Sequence, residues 1–380
     1  MTSYLLINDA LKSSEMRHEI GEAIMDDIVF LEHEEKRIVV GSILEESVFA
    51  DREDVVDEFW NIHQFGADEL IADETFDPQL FYGEIALRAL AKAGVKKVTV
   101  PSSFRVLEAD YLRARGIELV IDDDVWALRR RAKTPWELEG IERAQRATDT
   151  AMMTAARMLR EAEPTAAGTL RYEGEILTAE WIREAMSADL LGQGAESEEI
   201  MIHTGDACLR GHDIGSGPIC PDESCIIDCF PRDRRTGVYT DMTRTFVPGA
   251  PSKELQNLHK HVRAALDIAF AAIKPGTSHA HQKVSDYFNA QGFPTTLHHK
   301  GEEPLSTGFF HSLGHGVGLD VHERPRIGRR PEEFAVGDVV AIEPGLYLPG
   351  VGGVRLEDTV LVTEDGITHL TDPLSYDLEP

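Results

Sequence analysis

The sequence predicts two domains of different class, an α/β domain over residues 1–128 and an α+β domain over residues 129–380. Three observations predict it. The first third alternates strand-like and helical runs, a compositional switch closes it, and the remainder mixes long helical patterns with short β-branched runs broken by Gly and Pro. At 380 residues the chain has the length of about two domains, and its 42% hydrophobic content is enough for a sizeable core.

The N-terminal elements are the strand-like runs 37–40, 97–100 and 117–121, alternating with helical patterns at 79–93 and 104–116. The acids Asp122, Asp123 and Asp124 and the bases Arg129, Arg130, Arg131 and Lys133 then mark a boundary. Thr134-Pro135-Trp136-Glu137 reads as a helix start, with Thr134 as N-cap, Pro135 at the first helical position and Glu137 closing a capping box. That helix runs towards Glu163, where Pro164 stops it. Further helices are expected at 173–187, 254–273 and 280–291, packed on an antiparallel sheet built from the remaining strands.

Acids outnumber bases 67 to 38, a net charge of -29, which argues against nucleic acid and against an anionic membrane surface, both of which need clustered Lys and Arg. Apolar runs such as Val339 to Ile342 fall far short of the ~20 residues of a membrane span. The first residues, MTSYLLINDALKSSEMRHE, show neither a basic leader nor a sustained apolar stretch, so the cytoplasm is the expected compartment. Cys208, Cys220, Cys225 and Cys229 lack a CxxC pair and read as reduced thiols rather than a zinc site. The charge is concentrated in residues 1–125, with 28 acids against 12 bases, while residues 126–380 hold 39 against 26. Only 11 of the basic residues are Lys, and such an acid-rich, Lys-poor surface suits growth in salt.

The chemistry lies in the second domain, on short strands. Asp228 ends the apolar run Cys225-Ile226-Ile227, and Asp241 follows Val238-Tyr239-Thr240 on what reads as the returning strand of a hairpin. His311, His315 and His322 are interleaved with Gly314, Gly316 and Gly318, a glycine density that suits a backbone passing close to something. Glu343 and Glu357 each sit in an otherwise apolar strand, a costly position unless the charge is paired or bound to metal. Glu357 paired with Arg355 is the structural alternative. Asp228, Asp241, His315, Glu343 and Glu357 together carry about four negative charges, which two divalent cations would cancel. An oxygen-dominated set with one imidazole favours Mn(II), with Co(II) and Zn(II) as alternatives.

The stretches IIDCF, TDMTRTF, HSLGHGVGLDVHE, IEPGLY and GVRLED, in that order, resemble the pita-bread fold metallopeptidases, the group of methionine aminopeptidase, aminopeptidase P and prolidase. The resemblance covers about residues 134–375 and implies a creatinase-like N-terminal domain and a pita-bread catalytic domain. It implies that the four acids and the histidine above are the metal ligands, that Glu343 shuttles a proton, that His322 stabilises the tetrahedral intermediate, and that His311 and His212 line the pocket after the scissile bond. Arg355 is expected to hold Glu357 or Asp241. Asp228 and Asp241 stand 13 positions apart, further than the family pattern, because PRDRRTG lengthens the hairpin tip, and the added residues are expected to point away from the metals.

The N-terminal domain separates the chain from minimal methionine aminopeptidases. The resemblance therefore implies a dinuclear Xaa-Pro aminopeptidase or Xaa-Pro dipeptidase acting on small peptides as a homodimer. The rival on the same fold is a hydrolase of a small C–N bonded metabolite, creatinase-like or ectoine-hydrolase-like, and metal analysis discriminates a creatinase-type enzyme, which holds no stoichiometric ion pair.

Overall fold

The computed structural model describes residues 2–211, 213–371 and 375–380. The chain divides into two compact units, Met1–Arg130 and Arg131–Pro380.

The first unit is built on a six-stranded sheet in the order Glu58–Asn61, Lys36–Gly41, Ile28–His33, Tyr4–Asn8, Lys97–Val100, Glu118–Ile121. The three central strands form an antiparallel meander, and the outer strands add in parallel. Tyr4–Asn8, Ile28–His33 and Glu58–Asn61 are strands that the sequence reading did not place. The first two are buried on both faces: Leu5, Ile7, Val29 and Leu31 pack into one core, while Leu6 and Phe30 pack into another. Such strands lose the apolar–polar alternation that betrays a half-exposed strand. Helices cover both faces, with Ile85 and Leu112 on one side and Met16, Ile20 and Trp126 on the other. The acidic-to-basic switch is itself a helix, Asp123–Arg131, rather than a bare connection. Its Trp126 is buried, and Arg129 holds Glu19 at 2.5 and 2.6 Å and Glu32 at 2.6 Å.

In the second unit Thr134 caps the helix Pro135–Glu161 as its side chain and main chain exchange bonds with Glu137. The following helix begins at Ala179, later than expected, because Leu170–Tyr172 and Glu175–Ile176 make a hairpin first. Glu173 and Gly174 turn it, both with positive φ (48° and 90°), the requirement of a type I′ turn. Two helix pairs cover two sheets. Pro135–Glu161 and Ala179–Gly192 pack on the antiparallel strands Ile200–Thr204, Cys225–Cys229 and Met242–Phe246 through Met152, Leu190, Ile200, Ile202 and Ile227. Each of the last three is essentially fully buried, which stabilises by about 1.5–3 kcal/mol per side chain. Lys253–Ala272 and Ala280–Ala290 pack on a five-stranded antiparallel sheet, Glu323–Ile327, Gly314–Gly316, Val339–Ile342, Asp358–Val362, Ile367–His369, through Leu266, Phe288, Val340, Ile342 and Val360. A bridge between Thr243 and Glu357 ties the two sheets together. Among the described residues no helix is long and apolar enough to cross a membrane.

Candidate metal centre

Strand alternation aims Asp228. Its neighbours Ile227 and Cys229 turn into the helix-covered core, so Asp228 faces the other way. In the hairpin Asp228 stands opposite Thr243, and Thr243 bridges to Glu357, which sets the three in one row across the two sheets. The Thr243 hydroxyl donates to Glu357 Oε2 at 2.6 Å and accepts from Arg355 Nε at 3.1 Å. Asp241 precedes the strand Met242–Phe246 and is pinned through its main chain, its N donating to Thr359 Oγ1 and its carbonyl accepting from that hydroxyl.

The opposite wall comes from the five-stranded sheet. His315 is the middle residue of Gly314–Gly316, with Nε2 at 3.7 Å from Asp241 Oδ2 and 4.0 Å from Glu343 Oε1. Glu343 follows Val339–Ile342, held by its N–H on Leu313 O at 2.8 Å. One ligand atom each from Asp241, His315 and Glu357 lie within 4.8 Å of one another. The structure thus brings together Asp228, Asp241, His315, Glu343 and Glu357 from five separate segments.

The electrostatics of the group fit divalent cations. Asp228 Oδ1 and Asp241 Oδ1 are buried without a hydrogen-bond partner, a costly arrangement for an ionised oxygen unless a cation meets it. Burial, then the charges of Glu357, Asp228 and Glu343, hold the Asp241 carboxyl well above the usual range. Burial and the neighbouring carboxylates Glu343 and Asp228 do the same for Glu357. Glu343 is pushed up to about 7 by burial, against the pull of Arg355. Burial, then His322, holds His315 down at about 4, so its imidazole is neutral and offers a lone pair.

One expectation changes, and one is met within the sheet itself. Arg355 holds neither Glu357 nor Asp241: its guanidinium bonds Asp228 Oδ2, and only the Thr243 hydroxyl links it to Glu357. The reason is register, since the hairpin row places Asp228 within its reach while Glu357 is taken by Thr243. The glycines around His315 serve their own sheet. A Cβ on Gly314 would lie 2.0 Å from Ala341 O and one on Gly316 2.0 Å from Arg324 O, so both neighbouring strands close in only on bare backbone.

The other histidines separate. The exposed ring of His322 lies edge-on to His315, centroids 4.3 Å apart. His311 packs against Phe309 and Tyr347, its Nε2 3.1 Å from the Tyr347 hydroxyl and its Nδ1 2.7 Å from Ser312 O. Since Ser312 O can only accept, Nδ1 carries the His311 proton, and Nε2 accepts from the Tyr347 hydroxyl, which itself accepts from Arg355 Nη1 at 3.2 Å. His212 lies outside the described residues. Sequence reasoning missed Thr243 and Tyr347, although both stand inside the motifs TDMTRTF and IEPGLY; a hydroxyl directly across a hairpin from an acid was the available signal.

The lengthened hairpin tip is anchored rather than loose. Arg143 of the helix Pro135–Glu161 grips Asp233 at 3.1 and 3.0 Å, and Arg232–Asp233 pairs with Ala195–Glu196.

Residues 139–364 match the model of metallopeptidase family M24. The chain belongs to metallopeptidase family M24. Within M24 it groups with the prolidases and aminopeptidases P. It is 33% identical over 258 residues to the Xaa-Pro dipeptidase of Pyrococcus furiosus, covering 66% of this chain and 65% of that enzyme. With the Xaa-Pro dipeptidase of Pyrococcus horikoshii the identity is 30% over 292 residues, 74% of each chain. Among solved structures, the prolidase from Pyrococcus horikoshii OT3 superposes with a TM-score of 0.74 at 24% identity, covering 98% of this chain and 94% of that one. An Xaa-Pro dipeptidase from Bacillus anthracis gives 0.77 at 21% identity, covering 98% and 93%. The M24 chain therefore has the pita-bread fold in its catalytic domain, which follows an α/β N-terminal domain in the sequence.

Proposed function

We propose that this M24 peptidase hydrolyses the peptide bond that precedes proline at the amino terminus of a short peptide or dipeptide, using two divalent ions held by Asp228, Asp241, His315, Glu343 and Glu357. One observation carries the reading: those five side chains converge from five segments, with two carboxylate oxygens left without a partner. The preference for Xaa-Pro rests on the dipeptidases to which the chain is similar. Manganese is the first choice of metal. Cys229, although adjacent to Asp228, turns into the helix-covered core, so the donor set is oxygen with one imidazole.

Bound there, the ions supply Lewis acidity toward water and the scissile carbonyl. Arg355 and Thr243 orient Asp228 and Glu357 from behind. Glu343 relays the proton to the departing proline nitrogen. His322, exposed beside His315, donates to the carbonyl oxygen as it gains charge. His311, locked by Tyr347, walls the pocket for the proline ring.

The protein is further proposed to be a homodimer. Its first unit leaves Ile71 and Val106 72% and 74% exposed at the lining of one cavity, apolar surface that suits a second copy. Its four cysteines are free thiols, which suits the reducing cytoplasm proposed as its compartment. The deciding experiment measures release of proline from Ala-Pro, and of alanine from Ala-Pro-Ala, by metal-loaded protein in manganese buffer. Turnover of neither peptide refutes the reading, and the ratio of the two rates assigns dipeptidase or aminopeptidase action. Sedimentation finding only a 42.2 kDa particle would refute the dimer.

A further inference from the structure

A second buried charged cluster lies behind the strands that carry the candidate ligands, and the proposed chemistry does not use it. Arg244 follows Thr243 on one strand and Asp358 follows Glu357 on the other, so their side chains leave by the opposite face. Arg244 is 1% exposed. Its Nη1 donates to Glu357 O at 2.8 Å and Thr243 O at 3.0 Å, and its Nη2 donates to Asp358 Oδ1 at 2.8 Å. The Tyr376 hydroxyl donates to the other Asp358 oxygen. The guanidiniums of Arg244 and Arg263 both lie over the Tyr376 ring, 4.6 and 4.0 Å from its centroid, and Arg263 bonds Asp267 at 2.8 Å.

These side chains line a cavity of about 340 Å³ together with Phe270, His369 and Thr371. Its hydrogen-bonding balance is one-sided. Arg244 Nε, Arg263 Nη1 and Thr371 Oγ1 are buried without a partner, whereas both oxygens of Asp358 are engaged and Asp267, the other carboxylate of the lining, is paired with Arg263 Nη2. Each unsatisfied buried donor is costly, and the complement of several donors in one cavity, two of them guanidinium, is an acceptor that carries negative charge. The volume is several times the share of one water, ~30 Å³, so a carboxylate or an oxyanion has room.

We propose that this cavity binds a small anion, a carboxylate or an inorganic oxyanion, which by engaging Arg244 steadies that residue's hold on the Glu357 main chain. The inference rests on the cavity alone and stands whether or not the peptidase reading holds.

The test is thermal unfolding of the wild-type protein and of the double variant Arg263→Gln/Thr371→Val, each titrated with sodium acetate and, separately, with sodium phosphate. Saturable stabilisation of the wild type should exceed that of the variant by about 2–4 °C once the anion is several times its dissociation constant. The stronger of the two responses assigns the carboxylate or the inorganic oxyanion. Thr371→Val alone should weaken the response several-fold, and it decides the matter if the double variant does not fold. Superposable curves for wild type and variants would place any anion elsewhere, the metal centre included, and overturn the proposal.

Discussion

Glu357 and Asp358 are neighbours in the chain, yet they enter clusters of opposite character. Around Glu357 four carboxylates gather near one guanidinium, and oxygens of Asp228 and Asp241 are left unmet. Around Asp358 two carboxylates meet two guanidiniums, both oxygens of Asp358 are engaged and Asp267 is paired with Arg263, and the groups left over are donors. Both clusters are buried and both contain arginine, so neither burial nor the presence of arginine tells them apart. The balance of partners does. A surplus of unmet carboxylate oxygens calls for cations, whereas a carboxylate clasped by guanidinium and phenol ties two strands together.

The comparison breaks most sharply at the ligands. His315→Ala or Glu357→Ala should lower kcat/KM on Ala-Pro by more than ~100-fold, beyond the usual loss from disturbing a ligand's supporting partner, and bound metal should vanish with it. Metal analysis and kinetics on the same sample check this, and retained metal with normal activity would show the ligand assignment to be wrong.

On the other face, Arg244→Met should leave Asp358 buried without its guanidinium and cost about 3–5 kcal/mol. Thermal unfolding should register a fall of roughly 10 °C, with the folded variant still binding metal. A wild-type Tm would mean that the clasp contributes nothing. Arg355→Met sits between the two cases, since it frees Asp228 without removing a ligand. Metal affinity should drop about 10–100-fold, with activity restored by added manganese; an unchanged affinity would sever Arg355 from the metal centre. The smallest effect is expected at Thr134→Ala, remote from both clusters, where loss of the helix cap should cost about 0.5–2 kcal/mol in denaturant unfolding and leave metal content unaltered.

Much of the candidate centre was legible because each contributing segment announces itself locally, as an acid ending an apolar strand or a histidine between glycines. The cap at Thr134 was legible for the same reason, being set by residues three apart. The strands Tyr4–Asn8 and Ile28–His33 were not, since a strand covered on both faces carries no period. Nor was the hairpin at Glu173-Gly174, which reads as the start of a helix until its two positive φ angles are seen. Arg355 shows the limit most clearly: sharing a strand face with Glu357 suggested that pair, and cross-strand register chose Asp228 instead.

By itself the sequence determined the class of each domain, the residue types that gather at the candidate centre and the order in which they occur, because those follow from short-range pattern and donor chemistry. Only the tertiary structure decided which oxygen meets which partner. Hydrogen-bond pairing depends on register between strands more than a hundred residues apart, as between Thr243 and Glu357, and no local pattern encodes that distance.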